Sequence, residues 1–264
     1  MSDRLFDKVL VRPPTVDIVR CVSTHPLRHT VNFEKALEQH REYVRVLRDE
    51  GVEVVELEPL EGFPDAVFIQ DTAVVGLRSR RAVISRFGVE SRRGEELSVA
   101  ERLAREGFNV FFVEEPGTLE GGDVLVTDVG YVYVGVTSRT SLGGVDRLTK
   151  VFNDVKVYPV RVDRVFHLLS AVNYIGNKTL ALVPELVTPE VFRGFEILEI
   201  PYEEAYAANM LYLGDRRVLI PKGYRKTEDV LRKAGYEVVK VDVSEFQKCD
   251  GGVTCLSLSL YKVL

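Results

Sequence analysis

One pattern constrains this chain more than any other: a unit of strand, strand, helix and strand recurs five times, at a spacing of about 45 to 55 residues. The first unit is "KVLVRPP", a helix over 33–50 and "VEVVELE", with Gly51 as a natural stop for the helix. That helix is apolar at Ala36, Leu37, Tyr43, Val44 and Leu47, one face of a 3.6-residue period. The second unit is "AVFIQDTAVVGLRSRRAVISR", read as two strands around a turn, with a helix over 94–106 and "FNVFFVEE". The third runs "DVLVTDVGYVYVGVT", a helix over 143–153 and "VKVYPVRV". The fourth is "LSAVNYIGNKTLALV", a helix over 188–193 and "EILEIPYEE". The fifth is "NMLYLGDRRVLIP", a helix over 226–235 and "YEVVKVDVSEF", after which "GVTCLSLSLYKVL" supplies one more strand.

In "TDVGY", "IGNKT" and "LGDRR" the turn between the first two strands is explicit, because Gly, Asn or Asp separates alternating apolar runs. A five-fold recurrence of this kind predicts an α/β chain closed into a radial array. Helices lie outside it and strand ends ring a central channel. With no linker-like or low-complexity stretch, residues 1–264 are expected to form one domain.

Composition narrows the function. The chain has 45% apolar and 28% charged residues and a net charge of −5, an ordinary globular balance that gives no reason to expect a nucleic-acid partner. "RSRR" at 78–81 is its densest basic run. No apolar run approaches the roughly 18 residues of a membrane span, and "MSDRLFDKVLVRPP" carries charges where a signal peptide has an apolar core. A cytoplasmic chain with no membrane partner is expected. Gln, Met and His are scarce while Val, Glu and Arg are plentiful, a balance that favours heat-stable chains.

Three cysteines, an odd number in a chain read as cytoplasmic, argue against a disulfide framework. Cys249 and Cys255 stand six apart with no nearby His, which does not match a zinc knuckle, so no metal is expected. The plainest reading makes all three small buried hydrophobes. Cys255 resists it, because it follows "DGG" at what reads as the start of an apolar strand, where a nucleophile can sit. A thiolate needs a proton handler and a carboxylate. Of the four histidines, His25 and His29 fall in a polar loop and His40 reads as solvated on its helix. His167, in "DRVFHLLSAV", directly precedes an apolar strand. Two acidic stretches stand out. In "GTLEGGDVLV", Glu120 and Asp123 bracket a glycine pair, and in "GFPDAVFIQDTAVV", Asp65 and Asp71 flank "AVFI". Asp71 interrupts an apolar strand pattern, which is costly unless it pairs with an arginine or binds something cationic.

These stretches, with "SRR" at 91–93, "SRT" at 138–140, "HLLS", "AAN" at 207–209 and "DGGVTC", occur in one order along essentially the whole chain. In that order they resemble the dimethylarginine dimethylaminohydrolases, members of the guanidino-group-modifying superfamily that includes arginine deiminases and amidinotransferases. The resemblance implies a five-bladed α/β propeller of ββαβ units with pseudo-five-fold symmetry, in keeping with the recurrence. It implies Cys255 as nucleophile, His167 as general acid and base, and Glu120 as the carboxylate partner of His167. It further implies that Asp71 and Asp250 hold the guanidinium and that Asp65 lies toward the α-amino end. Arg92 and Arg139 are implied as ligands of the substrate α-carboxylate, a role that suits their forked donors. Gln70 stands where these enzymes carry Glu. The loss of that acid beside the cation bears on the preference for methylated substrates.

The implied reaction hydrolyses a C–N bond of arginine or N-methylated arginine to citrulline and an amine or ammonia, through a thiouronium on Cys255. It uses no cofactor, and its partner is a small guanidine; a homodimer is allowed but not required. Chain length and Leu169, where deiminases carry an acidic residue after the His-Leu pair, favour the compact hydrolase type. Deiminase or amidinotransferase activity on another guanidine is the nearest alternative. A non-catalytic binding propeller, as in a ribosome-associated translation initiation factor, lacks the Cys, His and Glu set.

Overall fold

The computed structural model describes residues 2–262. Its chain order begins with β1 (Phe6–Val11), α1 (Phe33–Asp49), β2 (Glu53–Glu56), β3 (Ala73–Val75), β4 (Arg81–Ile84), α2 (Glu95–Arg105) and β5 (Asn109–Phe112). Then come β6 (Val124–Val126), β7 (Tyr131–Val136), α3 (Leu142–Val151), β8 (Lys156–Arg161), β9 (Val172–Tyr174), β10 (Thr179–Leu182) and β11 (Glu196–Glu199). The chain ends with β12 (Leu211–Gly214), β13 (Arg217–Pro221), α4 (Arg225–Lys233), β14 (Glu237–Val241), the one-turn α5 (Ser244–Gln247) and β15 (Leu258–Tyr261).

These strands form five three-stranded sheets: β3-β4-β5, β6-β7-β8, β9-β10-β11, β12-β13-β14 and β15-β1-β2. In each, the first two strands run antiparallel and the third joins parallel, as β6 to β7 and β7 to β8. The ring is closed by the last strand, since β15 pairs antiparallel with β1 through Val9↔Ser259 and Leu10↔Leu258. The fold is the five-bladed α/β propeller of ββαβ units.

Burial explains the sequence pattern. The inner strands β3, β6, β9 and β12 are buried at every residue, whereas β2, β5 and β11 are exposed at both ends. An inner strand is covered on both faces by neighbouring blades and so reads as an uninterrupted apolar run. Packing between blades fills the ring. Val74, Val83, Leu125, Val134, Val172 and Leu180, drawn from three sheets, belong to one apolar cluster. The hairpins follow their turn chemistry: Asn177–Lys178 and Asp215–Arg216 all adopt positive φ, as a two-residue turn of this hand requires.

Four sequence expectations change. The helix over 188–193 is a single 3-10 turn at Pro189–Val191, because "TPEVFRGFE" offers a proline start and a glycine stop only a few residues apart. Asp71 lies in a 3-10 turn, Ile69–Thr72, ahead of β3 rather than within a strand. Cys255 likewise lies in a 3-10 turn, Thr254–Leu256, ahead of β15. His40, read as solvated, is buried, and burial holds its pKa down to about 4, so it is neutral.

Candidate active site

Each inner strand is entered through a short 3-10 turn: Ile69–Thr72, Gly121–Asp123, Leu168–Ser170, Tyr202–Ala208 and Thr254–Leu256. Since the inner strands ring the axis, the five turns converge at one end of the channel, and they supply the polar residues there. Asp71 and Cys255 lie within their turns, Glu120 and His167 directly before theirs, and Asn209 directly after its own. This explains how residues from 71 to 255 come to share one place.

His167 Nε2 lies 2.8 Å from Glu120 Oε2, a close, fully buried pair. Its other ring nitrogen, Nδ1, is 3.8 Å from Asp71 Oδ1. Asp71 is fixed from two sides: the Gly122 N–H donates to Oδ1 at 3.0 Å and Arg92 Nη1 to Oδ2 at 2.7 Å. The glycine pair of "LEGGDVL" serves close approach. A Cβ on Gly121 would stand 2.0 Å from the Gln70 carbonyl oxygen, and one on Gly122 would stand 2.6 Å from His167 Nδ1 and 2.7 Å from Asp71 Oδ1. Arg139 Nη1 contacts Glu120 Oε1 at 3.3 Å, with its guanidinium over the Phe166 ring.

Asp65, Asp71, Arg92, Arg139, His167, Asp250 and Cys255 together line one cavity. The segment after Cys21 closes one side of it. Val22 N donates to both oxygens of Asp65 at 3.2 Å, and Asp250 Oδ2 accepts from Ser23 Oγ at 2.8 Å and Thr24 N at 3.0 Å. A disulfide, Cys21–Cys249, ties this segment to the turn that bears Asp250. That corrects the reading of three unpaired cysteines: two of them are paired, and Cys255 is the free one.

The cavity also departs from expectation at two positions. Gln70 does not line it. Its Oε1 accepts a hydrogen bond from Thr254 Oγ1 at 2.9 Å, and the side chain borders a separate cavity in the central channel. Arg92 lines the cavity, but most of its donors are occupied by Asp71, by Glu95 and by the Asp65 and Phe68 carbonyls. It braces Asp71, and one N–H on Nη1 is left for a substrate carboxylate. Sequence reading missed Glu95, which holds Arg92 and whose pKa burial raises to about 7, and Phe166, which packs on both His167 and Arg139. Phe166 adjoins His167 in "VFHLL", where an aromatic neighbour could have been noticed.

The electrostatics favour a neutral thiol beside a charged imidazole at rest. Burial, reinforced by the Asp71 charge, pushes Cys255 up to about 12. Burial alone would lower His167, but Asp71, Asp123 and Glu120 outweigh it and raise the imidazolium to about 9. Asp71, Glu120 and His167 are the cluster among the described residues close enough to share a metal ion. Arg92 and Arg139 already neutralise those carboxylates, so charge balance calls for no metal.

A cysteine, a carboxylate-paired histidine and a cavity rich in carboxylates, on a closed five-bladed propeller, equip this site for nucleophilic attack on a cationic group. Comparison with known proteins narrows the class. A family model described as N,N dimethylarginine dimethylhydrolase, eukaryotic, matches residues 22–262. The chain is 36% identical to the N(G),N(G)-dimethylarginine dimethylaminohydrolase of Pseudomonas aeruginosa, covering 96% of this chain and 99% of that one. It is 40% identical to the enzyme of the same name from Streptomyces coelicolor, covering 96% of each. A solved structure of the P. aeruginosa enzyme, a cysteine-to-serine variant complexed with citrulline, superposes with a TM-score of 0.89 at 35% identity, covering 97% of this chain and 99% of that one. This chain belongs to the dimethylarginine dimethylaminohydrolase family.

Proposed function

We propose that the chain hydrolyses the guanidino group of arginine or N-methylated arginine to citrulline, with Cys255 as nucleophile and His167 as proton carrier. The observation that carries the reading is that Cys255 and His167 line one cavity with Asp65, Asp71 and Asp250, while Glu120 holds the far nitrogen of His167. The citrulline complex of the P. aeruginosa relative supports the product.

The chemistry follows from charge. A guanidinium entering the carboxylate-rich cavity adds a positive charge beside a thiol whose proton burial and Asp71 otherwise retain. The cation favours the thiolate, so the nucleophile forms when substrate is present and the thiol proton leaves to solvent, His167 being already protonated. Sulfur then bonds to the guanidinium carbon to give a tetrahedral adduct. Glu120 engages His167 Nε2, so Nδ1 is the nitrogen that faces the cavity and gives a proton to the departing amine. The C–N bond breaks, leaving an S-linked thiouronium. His167, now neutral, takes a proton from a water that attacks the same carbon, and the C–S bond breaks to return the sulfur and release the ureido product. In this reading Arg139 receives the substrate α-carboxylate, and Asp65 lies toward the α-amino group. Because Gln70 is turned away from the cavity, the reading includes both arginine and its methylated forms.

We place the reaction in the cytoplasm, where a thiol that must be reduced to act is kept reduced. The Cys21–Cys249 pair is buried, with Cys249 at the cavity wall.

The test is Cys255→Ser with arginine and mono- and dimethylarginine as substrates. Loss of ureido product by at least about 10³-fold is expected; full retention overturns the assignment of Cys255. Addition of glycine to the native enzyme tests transfer against hydrolysis, and a new guanidino product would make it an amidinotransferase.

A further inference from the structure

Arg92 and Arg139 are both buried arginines at the cavity wall, yet they are held in opposite ways. Carboxylates and carbonyls grip Arg92 by most of its N–H groups. Arg139 makes one such contact, from Nη1 to Glu120 Oε1 at 3.3 Å. Its Nε and Nη2 have no partner among the described residues. A ring takes the place of those partners: Arg139 Cζ stands 4.2 Å from the centroid of Phe166. The same ring meets the His167 imidazole edge to face, with centroids 4.7 Å apart and planes at 71°. Phe166 is 37% exposed, lines the cavity and belongs to none of the apolar clusters that fill the blades. Its ring therefore serves the site and not the core.

We propose that Phe166 keeps Arg139 available to a substrate carboxylate and registers that carboxylate site against His167. The inference rests on the reading of Arg139 as the carboxylate receiver. A ring attracts a guanidinium through its face and leaves the in-plane N–H donors free. A carboxylate in the same place would take those donors, as Glu95 does on Arg92. Glu120, the carboxylate that Arg139 does touch, also pairs with His167. Without the ring, Arg139 is left with Glu120 as its one partner, and the rest of its guanidinium is free to reorient. The base of the side chain is fixed separately. Arg139 N donates to Thr137 Oγ1 at 3.0 Å, and Thr137 Oγ1 donates to Asp123 Oδ2 at 2.8 Å. Asp123 Oδ1 in turn accepts from Leu168 N at 3.0 Å. The Arg139 and His167 segments are thus joined near the backbone through Asp123 and at their tips through Phe166. That spacing matters because the arm of arginine fixes how far its guanidinium carbon lies from its carboxylate. Selection of guanidines that carry a carboxylate thereby falls partly to an uncharged residue. Phe166 is a positioning residue, acting through Arg139.

Binding in the Cys255→Ser background tests this without turnover. Arginine and agmatine, the same guanidine without the carboxylate, are titrated by calorimetry. Phe166→Leu should weaken arginine about tenfold and agmatine less than about twofold, and Phe166→Tyr should restore arginine. Leucine keeps an apolar cover but has no π face, so lost packing alone predicts no selective effect. In an Arg139→Gln background, Phe166→Leu should change neither ligand by more than about twofold. Equal weakening of both ligands, weakening of neither, or a selective loss that persists without Arg139 overturns the proposal. Failure of both ligands to bind while Phe166 is intact overturns the reading of the cavity itself, and the proposal with it.

Discussion

Cys255 and His167, the proposed nucleophile and proton carrier, lie far apart in acidity in the absence of substrate. With Cys255 near 12 and His167 near 9, the resting enzyme at neutral pH holds a thiol and an imidazolium, not a ready ion pair. The elevated histidine also couples stability to pH. Its pKa rises from 6.5 to about 9 on folding, which corresponds to about 3 kcal/mol in favour of the folded state. The contribution is whole below pH 6.5 and is lost as pH rises through about 9. Urea unfolding at a series of pH values should therefore show native enzyme losing about 3 kcal/mol across that window relative to His167→Asn. Parallel curves for the two proteins would refute the coupling. Gly122 offers a steric probe of the same site. Gly122→Ala places a methyl where His167 Nδ1 and Asp71 Oδ1 now stand, so kcat/KM should fall about 100-fold by misplacement alone. A far-UV circular dichroism spectrum equal to that of the native chain would separate that loss from misfolding.

At the scale of elements, what could be read from the sequence depended on how local its cause was. The hairpins at Asn177–Lys178 and Asp215–Arg216 were readable because positive φ is dictated by the residues of the turn itself. The helices over 33–49, 95–105, 142–151 and 225–233 followed their apolar spacing to within two residues at either end. The 3-10 turns that carry Asp71 and Cys255 were not readable, because an apolar run next to an inner strand looks like more strand. His40 had a signal that went unused, since it lies four residues after Ala36 and four before Val44, on the buried face of α1. The Cys21–Cys249 bond, by contrast, joins residues 228 apart, and no local pattern reports such a contact. Closing so long a loop restricts the unfolded chain, worth about 5 kcal/mol at most in the chain-entropy account and typically about 2–4. Cys21→Ser should lower the unfolding free energy by that amount in denaturant titration. It should also raise KM more than it lowers kcat, because the bond holds the Val22–Thr24 segment against Asp65 and Asp250 rather than touching the reacting carbon. Equal KM values in the two proteins would mean that the segment is held in place without the disulfide.

For the whole molecule, ring closure decides how stability is distributed. Four blades are each built from consecutive chain, but the fifth joins β15 to β1 and β2 from opposite ends of the sequence. No blade can bury both faces of its inner strand alone, so each depends on two neighbours. In an open solenoid such dependence lets an end repeat melt separately, whereas a closed ring has no end repeat. Leu258 sits at that closure. It pairs with Leu10 of β1 and packs with Ile69 and Ala73 of the next blade, beside the turn that bears Asp71. Truncation by Leu258→Ala removes a buried side chain at the one joint not made by adjacent sequence, at a cost of about 2–5 kcal/mol. If the ring is a single cooperative unit, the loss reaches every blade. The ring-proton NMR signals of Tyr131, Tyr133 and Tyr158, which cluster near the opposite side of the ring, should then shift their denaturation midpoint together with far-UV circular dichroism. A tyrosine transition that stays at the native midpoint while the circular dichroism transition moves would show instead that the blades melt independently.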